Sequence, residues 1–467
     1  MTTKVHLSAG SLAACFMLIN SPSQAQTLQE TIQYTLNNNP NVQAAKSERN
    51  AVVEQISQAR AGYLPSVDLS FGYGYENSSN PTLASRNQSH VELDRREAGI
   101  QITQMLFDGF ATQSEVERQT ARADSRSYTV FGQSEIIALN ATESYLNVLR
   151  RNELVKLAED NLHYHQSTHD QIMLRANRGV GKRVDADQSA GRLSLAESNY
   201  ISESGNQQDA QTKFLRTVGV LPKDLTSPTA PEKLVPKSLD DATEQAINNH
   251  PILKSANADI NSAFAQYESA NAAFYPRIDV ELGSTFNNNM DGIQGQNNDL
   301  SAMVKVRYNL FNGGKDLYRQ RETSYLINQS KDIRDNTYRQ VVESMRLSWT
   351  AYKIISSQLG YLKGHMDSSI KANIAYKKQF NIGQRSLLDL LDSANELFTA
   401  SASYTNAKYD LHLAQYRLLA SMGQLNAYLG TQLAKETEIL SESGSGSDEM
   451  PWHEEVTNNE TIRLNLF

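Results

Sequence analysis

The sequence predicts a mainly α-helical chain with a small membrane-type β component, built twice on one plan. Three observations predict it. Residues 28–40 (LQETIQYTLNNNP) and 239–251 (LDDATEQAINNHP) open two halves that repeat each other at a near-constant offset. Proline, the strongest helix breaker, is absent from residues 82–221 and 277–450, so very long helices are permitted there. Four short segments alternate apolar and polar residues with the period of a strand.

Ahead of the first half, residues 1–25 hold one Lys, an apolar run from Leu7 to Ile19 and Ser23-Gln24-Ala25, the small-x-small pattern of a signal-peptidase site. The segment reads as a signal peptide and the protein as exported. Cys15 is the only cysteine, so the mature chain has no thiol or disulfide, as an oxidising compartment allows. Leu12-Ala13-Ala14-Cys15 also fits a lipobox, but the apolar run continues past the cysteine, which favours plain cleavage over lipidation. Apolar residues are 39% of the chain, and the mean hydropathy is -0.52. No run approaches the roughly 20 apolar residues of a spanning helix, so a membrane role requires strands closed into a barrel. The formal charge is -8. Residues 431–467 carry eight acids and two bases; without them and the signal segment the body is nearly neutral, which argues against nucleic acid as a partner.

The first repeat is assigned to residues 26–221, a linker to 222–238, the second repeat to 239–430 and an acidic, disordered tail to 431–467. At an offset of 211, Pro40 matches Pro251, Pro65 matches Pro276 and Gly72 matches Gly283; at 204, Phe107-Asp108-Gly109 matches Phe311-Asn312-Gly313, Tyr145 matches Trp349, Gly179 matches Gly383 and Asp185 matches Asp389. Seven extra residues therefore lie between Gly72 and Phe107, where Asn77 to Pro81 indicate a longer loop. Helical spacing through Leu139, Leu146, Leu149 and Leu157 predicts a helix over residues 111–177, roughly 100 Å long at 1.5 Å per residue. From Leu390, steps of four and three through Ala394, Leu397, Ser401, Tyr404, Lys408, Leu411, Gln415, Leu418, Met422 and Leu425 form a coiled-coil seam, whose small and polar members suit a thin-walled assembly.

Val67, Leu69, Phe71, Tyr73 and Tyr75 alternate with polar or glycine positions, as do Ile278, Val280 and Leu282; residues 100–107 and 302–310 are their expected partners. In a soluble protein such alternation marks a half-buried sheet. Here each hairpin is expected to stand alone between long helices, and four strands cannot close a barrel when about eight is the usual minimum. Closure then requires several chains.

Residues 383–392 (GQRSLLDLLD) read as the tip of a helical hairpin. Gly383 supplies positive φ, and Ser386 can cap the next helix. Asp389 and Asp392, three apart, share one helix face, where symmetric copies would gather carboxylates into a gate. The competing reading is structural: Ser386 and Asp389 have capping-box spacing, and acids suit a helix N-terminus. His165 and His169, four apart, lack the surroundings of a metal helix and read as solvated histidines. Gly179-Val-Gly-Lys182 fails as a phosphate loop, with Ala176 and Arg183 where glycine and a hydroxyl residue should stand. The chain holds no nucleophile elbow and no zinc-protease motif, so no enzyme and no cofactor are expected.

With these features, and over roughly residues 27–430, the chain resembles the TolC family of outer-membrane exit ducts. The carrying residues are Asn39-Pro40, Tyr63-Leu64-Pro65, Gln101-Ile-Thr-Gln-Met-Leu-Phe107, Tyr145-Leu-Asn-Val-Leu149, Gly179 through Asp185, and Arg385-Ser-Leu-Leu-Asp-Leu-Leu-Asp392. The resemblance implies a homotrimer in the outer membrane of a Gram-negative bacterium. Three protomers of four strands would make a lipid-facing twelve-strand β-barrel, and the helices an α-barrel crossing the periplasm. It further implies that Arg385, Asp389 and Asp392 narrow the periplasmic mouth and that Asp185 is the acid to which the arginine helix links. Phe380 stands where the family has a linking tyrosine, and an outer polar link falls on Thr168 and Lys377, so a more loosely held gate is expected. Gly179, Val180, Gly181, Gly383, Gln384 and Arg385 would form the adaptor-docking tips. The run 104–111 and the tip 179–185 look most like members serving type I secretion of a large adhesin or toxin, with a periplasmic adaptor and an inner-membrane ABC transporter or other pump as partners. The alternatives are the outer-membrane component of a multidrug efflux pump and a periplasmic coiled-coil adaptor or scaffold.

Overall fold

The computed structural model describes residues 26–231 and 234–441. The predicted signal peptide with Cys15, and residues 442–467, lie outside the described residues. The first repeat runs α1 (Leu28–Asn38), α2 (Pro40–Arg60), β1 (Ser66–Ser78), α3 (Pro81–Ser85), β2 (Val91–Phe107), α4 (Ala111–Asn177) and α5 (Arg183–Val218). The second runs α6 (Leu239–Asn249), α7 (Pro251–Asn271), β3 (Arg277–Met290), β4 (Ile293–Arg307), α8 (Lys315–Asn381), α9 (Leu387–Ser421) and α10 (Leu425–Leu429). Both α4 and α8 contain 67 residues.

The repeated punctuation has a physical reading at each site. Asn39-Pro40 and His250-Pro251 end one helix and begin the next: proline takes the first helical position, where no N–H is needed, and the preceding side chain caps it. Asn39 Oδ1 accepts the Asn41 N–H at 3.0 Å, and His250 Nδ1 accepts that of Ile252 at 3.4 Å. Pro65 and Pro276 immediately precede β1 and β3. The strand-to-helix corners use left-handed pairs, Gly109–Phe110 and Gly313–Gly314. Phe110 tolerates φ +68° with its ring edge-on to Phe107 at 5.4 Å and to Tyr275 at 6.2 Å. The extra residues of the first repeat form α3, capped by Asn80 and anchored by the fully buried Leu83, whereas β3 and β4 turn on Asp291-Gly292 alone, both at positive φ.

The two hairpins are not isolated, as the sequence led us to expect. β2 pairs with β3, Ile102 opposite Leu282, and all four strands form one antiparallel sheet in the order β1-β2-β3-β4. β2 begins nine residues before the predicted start at Ile100, and β4 runs from Ile293 to Arg307, leaving Tyr308 and Leu310 outside. The added lengths, 91–99 and 293–301, are mostly polar, with Val91, Leu93, Ile293 and Leu300 too scattered to alternate, so hydrophobic alternation could not reveal them.

Register places Val67, Leu69, Phe71, Tyr73 and Tyr75 with Ile100, Ile102, Val280, Leu282, Leu300, Val304 and Val306 on one face. That face is bare in the protomer; Phe71 is 80% and Leu300 87% exposed. Val67 to Tyr75 covers roughly 26 Å of strand, about 20 Å of height at the usual tilt of barrel strands, most of the apolar band of an outer-membrane barrel. The opposite face is charged. The fully buried Asp279 meets Arg277 at 3.0 Å and Arg307 at 2.6 Å, while Glu281 meets Arg307 at 2.5 Å and also Lys305 and Gln101. Apolar outside and polar inside is the pattern of a membrane barrel, and β1 and β4 each keep an open edge for a neighbour. Among the described residues no helix is long and apolar enough to cross a membrane.

The largest core lies at the waist, where α4 and α8 are gripped by the short helices. Tyr145, Phe214, Trp349 and Tyr416 pack there with Ile32, Leu36, Leu418 and Leu419. The Tyr145 hydroxyl sits 2.8 and 2.7 Å from the carbonyls of Gln26 and Thr226, tying the chain start and the linker into this core. The predicted seam on α9 is buried at Leu390, Ala394, Gln415, Leu418 and Met422, and Lys408 reaches Glu153 of α4 at 3.1 Å. Its last step, to Leu425, crosses a break at Gly423, φ +68°.

The expected disorder from residue 431 does not hold for residues 431–441, which form a docked strap. Gln432 donates its N–H to Gln33 at 2.7 Å, Ser127 donates to the Glu438 carbonyl at 3.0 Å, and Asp124 accepts the Leu440 N–H at 2.7 Å. Leu440 packs on Val52, Ile56 and Ala123. The acidic composition concealed these few anchors.

Candidate functional site

Below the waist, α4 packs against α5 and α9, and α8 against α9, so the two helical hairpins lie side by side and end in two tips. α4 ends at Asn177 and turns on Gly179 at φ +75°; α8 ends at Asn381 and turns on Gly383 at φ +78°. Both use a glycine in the left-handed region to satisfy the last carbonyls: the Gly181 N–H donates to the Arg175 carbonyl at 3.1 Å, and that of Gln384 to the Gln379 carbonyl at 2.9 Å. Gly181 has a separate constraint, since a Cβ there would lie 3.0 Å from the Ala176 nitrogen. Val180 is 81% exposed.

At the second tip the capping box is formed. Ser386 Oγ accepts the Asp389 N–H at 3.2 Å, and the Asp389 carboxylate accepts the Ser386 N–H at 3.3 Å. Asp389 is thus a helix cap by geometry, whatever else it does. Arg385 folds back on its own hairpin: its guanidinium lies 4.5 Å from the Tyr376 ring centre, donates to Gln379 at 3.0 Å and stands 3.9 Å from Asp389. Asp392, one turn further on, pairs instead with Arg192 of α5 at 2.6 Å.

The structure therefore brings together Arg385 with Asp389, but not Arg385 with Asp185. Among the described residues Asp185 has no side-chain partner within the protomer. Phe380, lacking a hydroxyl, packs against a tip cluster of Ile172, Ala186, Leu387 and Leu391, with the Arg175 guanidinium 5.4 Å from its ring centre. Lys377 sits 5.4 Å over the Tyr164 ring, and Thr168 bonds only back to the Tyr164 carbonyl, so these two are not linked to each other within the chain.

The histidines depart from expectation. His165 is buried, edge-on to Tyr164 at 5.7 Å, and burial followed by the nearby Arg192 charge holds its pKa below the ordinary histidine value. His169 bonds Ser189 at 2.9 Å. No group of three or more metal-ligating side chains occurs among the described residues. The interior here is polar, with Ser189 on His169 and Asn373 bonded to Ser393, which is why neither helical periodicity nor hydropathy marked His165 as buried. Sequence reading also missed Arg192 and Tyr376. The one available signal for Arg192 was its position seven residues, two turns, past Asp185 on the same helix face.

The model of the family described as outer membrane efflux protein matches residues 31–220 and 242–424, two blocks that coincide with the two repeats. The chain is 23% identical over 434 residues to the outer membrane efflux protein BepC of Brucella suis, covering 92% of each. It is 21% identical over 421 residues to the outer membrane protein TolC of Escherichia coli, covering 87% of this chain and 84% of the relative. To the alkaline protease secretion protein AprF of Pseudomonas aeruginosa it is 23% identical over 424 residues, covering 88% of each. The outer-membrane channel OprN shares the fold, with a TM-score of 0.72 at 16% identity over 85% of this chain and 89% of that one.

Proposed function

The chain belongs to the outer membrane efflux protein family, and we propose that it is the trimeric exit duct of a type I secretion system, passing a large adhesin or toxin. As a family member it is an outer-membrane channel of the TolC type, its sheet in the membrane and its helices in the periplasm. That location removes the periplasmic scaffold from consideration. Conduction is passive: an inner-membrane ABC transporter supplies the energy, and a periplasmic adaptor docks on the tips at Gly179, Val180, Gly181, Gly383, Gln384 and Arg385. Arg385, Asp389 and Asp392, with Asp185 and Phe380 beside them, gate the mouth.

The observation that carries the secretion reading is the likeness along nearly the whole chain to AprF, a protein named for protease secretion. The glycine-centred first tip supports it. The runner-up, the outer-membrane part of an efflux pump for small solutes, draws on the equal identity to BepC, named for efflux. Deleting the gene separates them. A large protein should vanish from the culture medium while susceptibility to dyes, detergents and antibiotics stays as in the parent. An unchanged set of secreted proteins with raised susceptibility would replace secretion by efflux.

A further inference from the structure

We propose that Arg192 sets the charge of the gate by clamping Asp392, so that the acid ring is electrostatically matched rather than bare. The inference rests on the reading of Asp389 and Asp392 as gate residues and adds a residue to it.

The geometry is direct. Arg192 Nη2 lies 2.6 Å from Asp392 Oδ1, the short contact of a charge-assisted hydrogen bond. Arg192 rises from α5 in the first hairpin and Asp392 from α9 in the second, so the pair also fastens one hairpin to the other. Its surroundings favour a single cation: His165 of α4 is buried and close enough to Arg192 for the guanidinium to oppose its protonation. Arg385 stands 3.9 Å from Asp389. On α9 each protomer thus presents Asp389 and Asp392, each with its own arginine, while Asp185 of α5 stands outside these two pairs. A ring of three such protomers would carry six carboxylates answered by six guanidiniums, and its hold on multivalent cations would be weak until an arginine is removed. Arg192 is a positioning residue here: it acts on a permeating ion through Asp392.

The test is single-channel recording of the purified trimer in planar bilayers, with La3+ added from the side of the helical tips. Heat-resistant trimers on gels would verify assembly of each variant. Arg192→Gln should raise the apparent affinity for La3+ block about tenfold, Arg192→Lys should restore much of the wild-type value, and Arg192→Gln should have no effect in an Asp392→Asn background. If Arg192→Gln leaves block unchanged while Asp392→Asn weakens it, the clamp is overturned and the gate stands. If Asp389→Asn with Asp392→Asn leaves block unchanged, the gate reading fails and the clamp with it.

Discussion

The first tip, between α4 and α5, and the second, between α8 and α9, turn on glycines 204 residues apart with φ of +75° and +78°. Past the glycine they diverge. Lys182 occupies the N-cap of α5 without a side-chain cap and is followed by Arg183, whereas Ser386 caps α9 and shares the capping box with Asp389. A left-handed turn demands glycine at one position and little elsewhere, so duplication preserved the backbone while the neighbouring positions were free to change. One tip became basic and apolar at its apex, fit for contact with another protein. The other gained a serine cap that shares a capping box with its first-turn acid.

That contrast predicts unequal responses to equal changes. The largest concerns export. Val180→Glu should abolish appearance of the cargo in the medium while heat-resistant trimers still form, and Gln384→Glu, the same added charge on the other tip, should reduce it only partly. Equal losses at both positions would mean that the two docking tips contribute alike. Next is packing: Leu391 is fully buried beneath the second tip, and Leu391→Ala should destabilise the protomer by about 2–5 kcal/mol. Its counterpart in the first repeat is the exposed Asp187, where alanine should change stability by no more than ~0.5 kcal/mol; thermal unfolding of both variants measures the pair.

A third difference lies at the waist. Glu135 is buried and accepts the N–H groups of Leu425 and Asn426 at 3.0 Å, at the start of α10, while its counterpart Arg339 is exposed. Burial outweighs those hydrogen bonds and pushes the Glu135 carboxyl up to about 7. Because the folded value lies above the unfolded one, the stability Glu135 contributes is complete below about pH 4.5 and is lost as pH rises through about 7. The change is on the order of 3 kcal/mol per protomer. Glu135→Gln should flatten this part of the melting-temperature profile between pH 5 and pH 7.5; an unaltered profile would mean that another group governs it. The smallest effects concern capping: Ser386→Ala should cost ~1 kcal/mol, and Lys182→Ser should add up to about that much at the uncapped tip.

Much of the periplasmic architecture was legible because long helices advertise their limits. The bounds of α4 followed from a proline-free span and the Phe107-Asp108-Gly109 corner, and the repeat offset carried the same reading to α8. The joining of the hairpins through β2 and β3 was not legible, since pairing partners are a property of the closed sheet and the polar ends of the strands carry no alternation. At the tips, glycine turns and the Ser386 cap are local and were readable. The Arg192–Asp392 pair joins residues 200 apart on helices that meet only once both hairpins have packed, so no local pattern could announce it. Phe380 was legible as a lost hydroxyl but not as a platform for Arg175.

The strap at residues 431–441 gives the duplicated chain a direction. Its acceptors and donors, Gln33, Asp124 and Ser127, all belong to the first repeat, and its own residues are the last of the described chain. A chain emerging from its amino terminus displays those anchoring sites long before anything can fill them, and a chain cut short after either repeat leaves them vacant. Occupancy of the sites therefore reports that synthesis has passed the second repeat, written into contacts between the residues that follow it and the first repeat.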